Sequence, residues 1–164
     1  MKLLTRTTPI AKLTWGITSS SAGQLIVGMT EKGEIARIDF LCGKKPNQVV
    51  EAWRDGGKVE IKKGAPLGAL SGKPIVLVGT LFQQSVWRVI AKIPQGKVIS
   101  YGDIAKRIGK PKASRAVGAA CGANPVPYLV PCHRVVAANG GLGGFSGGLD
   151  VKKRLLKAEG VLTA

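Results

Sequence analysis

The chain is short of acidic residues. It has 9 Asp and Glu side chains against 25 Lys and Arg, which gives a formal net charge of +16 at pH 7 and a pI near 10.2. A charge this large on 164 residues favours a polyanionic partner, nucleic acid before a membrane surface. The excess is greater in residues 82–164, with 13 basic and 3 acidic side chains, than in residues 1–81, with 12 and 6. A basic surface that serves only solubility is the alternative.

Cysteines and long apolar runs are also scarce. Three cysteines are an odd number and do not form a disulfide framework, which favours a reduced, intracellular protein. No apolar run approaches the ~18 residues that a membrane span requires. The segment after Lys2 lacks the apolar core of a signal peptide. We therefore expect a cytoplasmic or nucleoid-associated protein without a membrane partner.

Alternation of apolar and polar residues marks the first half of the chain as strand-rich. The predicted elements are strands near 13–17, 25–27 and 36–40, a short helix near 48–53, and strands at 59–61 and 75–78. The first three strands fit an antiparallel meander. Gly79-Thr80 is the candidate boundary, so residues 1–78 are expected to form a supporting domain with a mostly antiparallel sheet.

Helical spacing governs the second half, residues 79–164. Apolar positions from Phe82 to Ile93 predict a helix that Pro94 ends, and residues 100–103 fit a capping box that starts a second helix. A third helix over 113–121 follows a short turn, and the pair fits a helix-turn-helix. A last helix is predicted over 151–159. The expected fold class is α/β (α+β), with a helical C-terminal DNA-binding domain.

Cys132 stands beside the only histidine of the chain, His133. A cysteine attacks as the thiolate, and with an ordinary pKa of ~8.5 it needs a base or a cation to ionise near neutral pH. His133 and Arg134 would supply both. In an extended segment adjacent side chains point to opposite faces, so a water or a turn would have to connect Cys132 with His133. A buried structural cysteine is the alternative.

Two segments near this cysteine have little side-chain bulk. The predicted third helix is mostly Ala, Gly and Ser, and Arg115 is its obvious projecting group. Residues 138–148 contain six glycines, with Phe145 and Ser146 among them, so backbone amides can approach a ligand closely. Tight helix packing is the alternative for the first segment. The second lacks the spacing of a Walker phosphate loop.

Glu159 is the third candidate group. It follows Leu155 by four residues on the apolar side of the last helix, among Lys152, Lys153, Arg154 and Lys157. A carboxylate that points inward needs a polar partner, and His133 is a candidate because a carboxylate can orient an imidazole. A solvated helix end is the alternative.

Residues 124–136, NPVPYLVPCHRVV, closely resemble the active-site segment of the O6-alkylguanine-DNA alkyltransferases, also called methylated-DNA–protein-cysteine methyltransferases. The pattern continues in residues 145–149, Lys152, residues 155–156 and residues 159–160, and upstream in segments between 79 and 118. The resemblance is strong over residues 79–160 and loose over the N-terminal half.

The resemblance implies a suicidal DNA repair enzyme, a methylated-DNA–protein-cysteine S-methyltransferase. Cys132 would take the alkyl group from O6 of a guanine in double-stranded DNA, once per molecule and without cofactor or metal. His133 would act through a water as the base, and Glu159 would orient its imidazole. Asn124 would fix the turn that carries the active-site strand. Tyr101 would donate its hydroxyl to the leaving guanine.

The resemblance also implies a protein that flips the damaged base out through the minor groove and acts as a monomer. The residues expected at the flipped base are Ser146, Phe145, Val135 and Gly147. The residues expected at the DNA are Arg115, Ser114, Ala116, Tyr101 and Arg134. Among these, Arg115 would fill the gap left by the extruded base. Phe145 stands where the family commonly has tyrosine, and Ala123 and Leu81 also depart from its pattern, which leaves the range of alkyl groups open.

Rival interpretations explain less of the sequence. A non-catalytic damage-binding relative is the alternative function, but such relatives lack the reactive cysteine. A transcription factor leaves Cys132, His133 and Glu159 unexplained, and a cysteine hydrolase needs a histidine from elsewhere in the chain. Zinc could draw on Cys42, Cys121, Cys132 and His133, but no CxxC spacing is present, so we expect no metal.

Overall fold

The computed structural model describes residues 1–64 and 67–162. The chain divides into two compact units, Met1–Gly79 and Thr80–Ala164. The boundary expected from the sequence lies one residue before this division. Within the described residues, no helix is long and apolar enough to cross a membrane.

The N-terminal unit is a six-stranded mixed sheet with one α-helix. Its elements are β1 (Leu3–Arg6), β2 (Lys12–Ser20), β3 (Gly23–Met29), β4 (Ile35–Phe40), α1 (Pro46–Trp53), a 3₁₀ turn (Asp55–Gly57), β5 (Glu60–Lys63) and β6 (Ile75–Val78). The strand order is β1-β6-β4-β3-β2-β5. The central strands β2, β3 and β4 form the predicted antiparallel meander. Strands β1, β5 and β6 join it through parallel pairings, and β1 was not predicted.

Helix α1 packs against the sheet through the face that its apolar spacing predicts. Val49, Val50 and Trp53 are its buried residues. They belong to a core cluster with Leu13, Trp15, Ile26, Ala36, Leu41, Ile61 and Val76. The indole of Trp53 also donates a hydrogen bond to Asp39 Oδ2 at 2.6 Å. Hydrophobic packing, with one polar contact, therefore holds the helix on the sheet.

The C-terminal unit is mainly helical. Its elements are α2 (Leu81–Ala91), β7 (Ile99–Ser100), α3 (Tyr101–Arg107), α4 (Ser114–Gly122), a 3₁₀ turn (Cys132–Arg134), β8 (Val135–Val136) and α5 (Leu149–Ala158). All four predicted helices are present, with bounds shifted by one or two residues. Capping boxes start two of them: the Thr80 side chain accepts from Gln83 N at 3.2 Å, and the Ser100 side chain accepts from Asp103 N at 3.0 Å.

Helices α3 and α4 form the predicted helical pair, packed on α2. Gly109 ends α3 with φ +76°, a conformation that glycine adopts without strain. The buried indole of Trp87, on α2, donates a hydrogen bond to the carbonyl of Ala120 at 2.8 Å in the last part of α4. This contact joins α2 to the helix that precedes the Cys132 segment.

Candidate active site

A cavity of about 440 Å³ in the C-terminal unit contains the candidate nucleophile. Its lining residues are Tyr101, Gly118, Cys121, Gly122, Cys132, Gly144, Phe145 and Ser146. They come from α3, α4, the 3₁₀ turn and the glycine-rich loop. Three of the predicted site residues, Tyr101, Phe145 and Ser146, therefore share one cavity with Cys132.

Asn124 fixes the turn that leads into Cys132. Its Nδ2 donates to the carbonyl of Val130 at 2.8 Å, and its Oδ1 accepts from Val126 N at 3.0 Å. Both bonds are buried, so the amide replaces backbone pairing in a segment with three prolines. Of the two options left open for Cys132, an extended segment or a turn, the structure has the turn: Cys132–Arg134 is a 3₁₀ turn, and β8 begins only at Val135. Pro131 lacks the N–H that a ladder would need there.

The Cys132 thiol is buried, and burial strongly disfavours its ionisation. The residue is 4% exposed. Burial raises the pKa of Cys132 to about 11, although a hydrogen bond with the Asn124 side chain and the charge of Lys152 act in the opposite direction. The resting thiol is therefore protonated at neutral pH. A reaction at its sulfur needs a base.

His133 and Glu159 form the pair that was predicted from the sequence. His133 Nε2 lies 2.8 Å from Glu159 Oε1, and His133 is 1% exposed. A carboxylate can only accept from this nitrogen, so Nε2 carries the proton and Nδ1 is left as the basic nitrogen. In the described part of the chain, Nδ1 is buried without a hydrogen-bond partner.

Arg134 holds the same carboxylate from the other side. Its Nε donates to Glu159 Oε2 at 2.9 Å and its Nη2 to Oε1 at 2.7 Å, while Nη1 donates to the carbonyl of Ile93 at 2.6 Å. A bidentate pair of this kind is rigid as well as strong. Arg134 was expected at the DNA, but its side chain is only 15% exposed and its guanidinium donates to Glu159 and to the carbonyl of Ile93.

Opposing effects set the charge states of the pair. Burial lowers the pKa of His133, and the Glu159 carboxylate offsets part of that effect. Burial alone would raise the pKa of Glu159, but the hydrogen bonds from Arg134 and His133 outweigh it and the pKa is lowered. At neutral pH the pair is therefore a neutral imidazole next to a carboxylate.

Lys152 is a further residue of the site, and no role for it was predicted from the sequence. It is fully buried on α5, and its ammonium donates to the carbonyls of Val135 at 2.7 Å and Gly144 at 3.1 Å, and to that of Leu142. One cation thus ties the glycine-rich loop to β8. Lys152 precedes Leu155 and Leu156 by three and four residues, so helical spacing could have placed it on their buried face.

Tyr101 lies against the glycine-rich loop at a point where no side chain fits. A Cβ at Gly143 would lie 2.6 Å from the Tyr101 hydroxyl oxygen, and the φ of Gly143 is +71°. The position therefore requires glycine on both counts. Burial raises the pKa of Tyr101, which keeps its hydroxyl protonated as a hydrogen-bond donor.

Of the remaining predicted residues, Phe145 lies at the cavity, whereas three others are exposed on α4. Phe145 packs edge-on to the ring of His133, with the centroids 6.4 Å apart. Val135 is fully buried in β8, paired with Ile99, and neither Val135 nor Gly147 is among the described residues that line the cavity. Ser114, Arg115 and Ala116 are exposed at the start of α4. In the described ranges, no three His, Cys, Asp or Glu side chains could hold a metal ion together.

The fold and the site define a class: a protein with a helix-turn-helix and, beside it, a buried cysteine, a neutral histidine and a cavity open to a ligand. The family model for the 6-O-methylguanine DNA methyltransferase DNA-binding domain matches residues 81–161. The methylated-DNA–protein-cysteine methyltransferase of Methanosarcina acetivorans is 41% identical over 153 residues, which cover 89% of this chain and 97% of the relative. The chain belongs to the family of methylated-DNA–protein-cysteine methyltransferases.

Solved structures agree with this assignment. The O6-methylguanine methyltransferase of Mycobacterium tuberculosis is 32% identical, with a TM-score of 0.73 over 93% of this chain and 96% of that one. A crystal structure of the OGT of the same organism in complex with DNA has a TM-score of 0.70 at 31% identity, over 89% of this chain and 92% of that one. The similarity spans both units, including the N-terminal half where the sequence resemblance was loose.

The charge state of the site predicts the titration of the only histidine. In an NMR pH titration, we expect the His133 ring to protonate below its ordinary pKa of 6.5, because burial disfavours the imidazolium. Glu159→Gln should lower this pKa further, since the carboxylate raises it.

The lowered pKa of His133 also affects stability, because the unfolded chain binds this proton more readily than the folded one. His133 therefore contributes stability that is present above pH 6.5 and is lost as the pH falls through the lowered folded pKa. A midpoint at or above 6.5 would contradict this arrangement.

Proposed function

We propose that the protein repairs DNA by direct reversal, moving the alkyl group from O6 of an alkylated guanine irreversibly onto its own Cys132. The observation that carries the proposal is a buried thiol in a cavity of about 440 Å³, near a His133–Glu159 pair, in a chain of this family. The reaction consumes the protein, because the resulting thioether has no easy leaving route. No cofactor enters the scheme.

The transfer is a single displacement at carbon. The Cys132 sulfur forms a bond to the alkyl carbon as the bond from that carbon to O6 breaks, and the electron pair leaves with the guanine. The Tyr101 hydroxyl, kept protonated by burial, is suited to donate to the developing anion, and Ser146 lines the same cavity for a bond near O6. We assign Phe145 to the wall beside the flipped base. Val135 and Gly147 would shape that wall from behind.

The thiol proton leaves through His133. Since burial holds the pKa of Cys132 near 11, the thiol needs a base during the reaction, and His133 Nδ1 is the basic nitrogen of the pair. We propose that a water passes the proton from Cys132 to Nδ1. Glu159 then stabilises the imidazolium, much as a carboxylate does in other nucleophile relays. Arg134 is a positioning residue in this scheme, which replaces its expected role at the DNA.

DNA binding is a property of the family, and we propose double-stranded DNA with O6-alkylguanine as the substrate and a monomer as the active form. Helix α4 would enter the minor groove, with Arg115 in the place of the extruded base and Ser114 and Ala116 leaving room for close approach. The lysines and arginines of α3 and the following turn would contact phosphates without sequence preference, which predicts strong salt dependence. The protein would act on cellular DNA, in the cytoplasm or at the nucleoid.

The alternative, a protein that binds the lesion without reacting, is not favoured. The non-catalytic relatives in this family lack the reactive cysteine. Here Cys132 is present, together with His133 as the proposed base and Tyr101 and Ser146 as the proposed donors.

Mass spectrometry tests the proposal directly. After the protein is mixed with duplex DNA containing O6-methylguanine, we expect one methyl group per protein molecule on the peptide that carries Cys132. Cys132→Ser should gain none, and Cys42→Ser, which removes an exposed thiol, should gain as much as the wild type. Tight binding of the lesion without a gain in mass would make the protein a damage sensor.

Arg115 provides a second test, of the base-flipping step. Arg115→Ala should slow methyl transfer at saturating DNA on the order of ten- to a hundredfold, because unstacking a base costs a few kcal/mol that the inserted side chain offsets. The matched control is Lys112→Ala, which removes an exposed charge just before α4. This variant should weaken DNA binding without slowing methyl transfer at saturating DNA. The slope of the logarithm of the binding constant against the logarithm of the salt concentration should fall in magnitude by about one unit. Equal effects of both variants on the transfer rate would contradict the role of Arg115.

A further inference from the structure

The cavity contains a second thiol. Cys121 and Cys132 both line it, Cys121 from α4 and Cys132 from the 3₁₀ turn, and they are 7% and 4% exposed. Neither is in a disulfide. The third cysteine, Cys42, is exposed and belongs to the N-terminal unit.

Cys121 supplies a thiol from α4 to the cavity wall. Its neighbours on this wall are Gly118 and Gly122, one turn before it and directly after it, and neither carries a side chain. The two sulfurs also lie within electrostatic range of each other. Burial raises the pKa of Cys121 to about 12, charge on Cys132 adds to this shift, and the Lys152 ammonium opposes it. The same ammonium acts on Cys132.

We propose that Cys121 is a second alkyl acceptor, which closes an alkylene bridge to Cys132 when the group on Cys132 still carries a leaving group. The inference rests on the proposed function, because Cys132 must first become alkylated. The substrate class is a haloalkyl lesion on O6 of guanine, or another electrophile with two leaving groups.

The second step balances as an ordinary displacement. After the first transfer, Cys132 carries an alkyl chain with a halogen at its far carbon. The Cys121 sulfur forms a bond to that carbon, the carbon–halogen bond breaks, and the electron pair leaves as halide. The thiol proton passes to water. The product is a bis-thioether that joins Cys121 to Cys132.

The geometry favours this step over reaction with other nucleophiles. Both sulfurs line one cavity, so the attack is intramolecular and gains the advantage of proximity. A pendant haloalkyl group on Cys132 would otherwise remain an alkylating agent next to DNA. Bridge formation removes that electrophile inside the protein. Because burial keeps Cys121 protonated, the bridging rate should rise with pH.

The test uses dibromides with two, three and four carbons, with 1-bromopropane as the probe that has a single leaving group. The Cys42→Ser protein removes the exposed thiol. Trypsin cleaves after Arg115 and Arg134, so both remaining cysteines lie on one peptide, residues 116–134. We expect this peptide to gain one alkylene group without bromine, to lose both free thiols, and to resist fragmentation between the two cysteines.

Variants separate a bridge from simple alkylation. In Cys42→Ser/Cys121→Ser, bridging should be lost and Cys132 should carry a pendant bromoalkyl or hydroxyalkyl group. In Cys42→Ser/Cys132→Ser, bridging should also be lost. The proposal is overturned if 1-bromopropane labels Cys132 while all three dibromides leave the Cys121 thiol free, or if no bromide reaches either thiol. Transfer from O6-methylguanine DNA is measured on the same preparation. Methyl transfer without bridging refutes this inference alone, and bridging without methyl transfer refutes the proposed function.

Discussion

The Glu159 carboxylate is the contact on which the rest of the site depends. It accepts hydrogen bonds from His133 on one side and from the Arg134 guanidinium on the other, and Arg134 also donates to the carbonyl of Ile93, two residues after the end of α2. The Glu159 side chain, at the C-cap of α5, therefore fixes the tautomer of His133 and holds Arg134 at the end of the 3₁₀ turn that bears the Cys132 thiol. Removing one partner of such a buried network leaves an uncompensated charge, which typically costs roughly 3–5 kcal/mol.

Around this contact, burial keeps the Cys132 thiol protonated. Burial dominates the thiol of Cys132, and the nearby Lys152 cation reduces that effect without cancelling it. Lys152 is itself occupied with three carbonyls of the loop and β8, so its charge holds the cavity wall as well as favouring the thiolate. A buried, protonated thiol is slow to oxidise, and in the proposed reaction it would need both an alkyl group in the cavity and a base.

Local signals in the sequence predicted much of this arrangement. Capping boxes at Thr80 and Ser100 and the apolar spacing of the helices depend on neighbours within a turn, and the structure has them. Glu159 was predicted as the last residue of a helix and is instead the C-cap of α5, one residue after its end. The 3₁₀ turn, the Arg134–Glu159 pair and the buried Lys152 depend on contacts between segments far apart in the chain, so periodicity alone could not supply them. Arg134 was expected at the DNA because charge in a sequence does not show its partner. The position of Cys121 on the cavity wall could not be predicted for the same reason.

The most direct measurement of the central claim is the ionisation of Cys132 itself, followed by thiolate absorbance in Cys42→Ser and Cys42→Ser/Cys121→Ser protein. The account predicts that Cys132 stays protonated through neutral pH and ionises only near pH 11, because burial outweighs the Asn124 hydrogen bond and the Lys152 charge. A pKa of Cys132 at or below the ordinary cysteine value of ~8.5 would contradict it. The thiol would then be activated at rest, and the His133–Glu159 pair would not be needed to remove its proton during transfer.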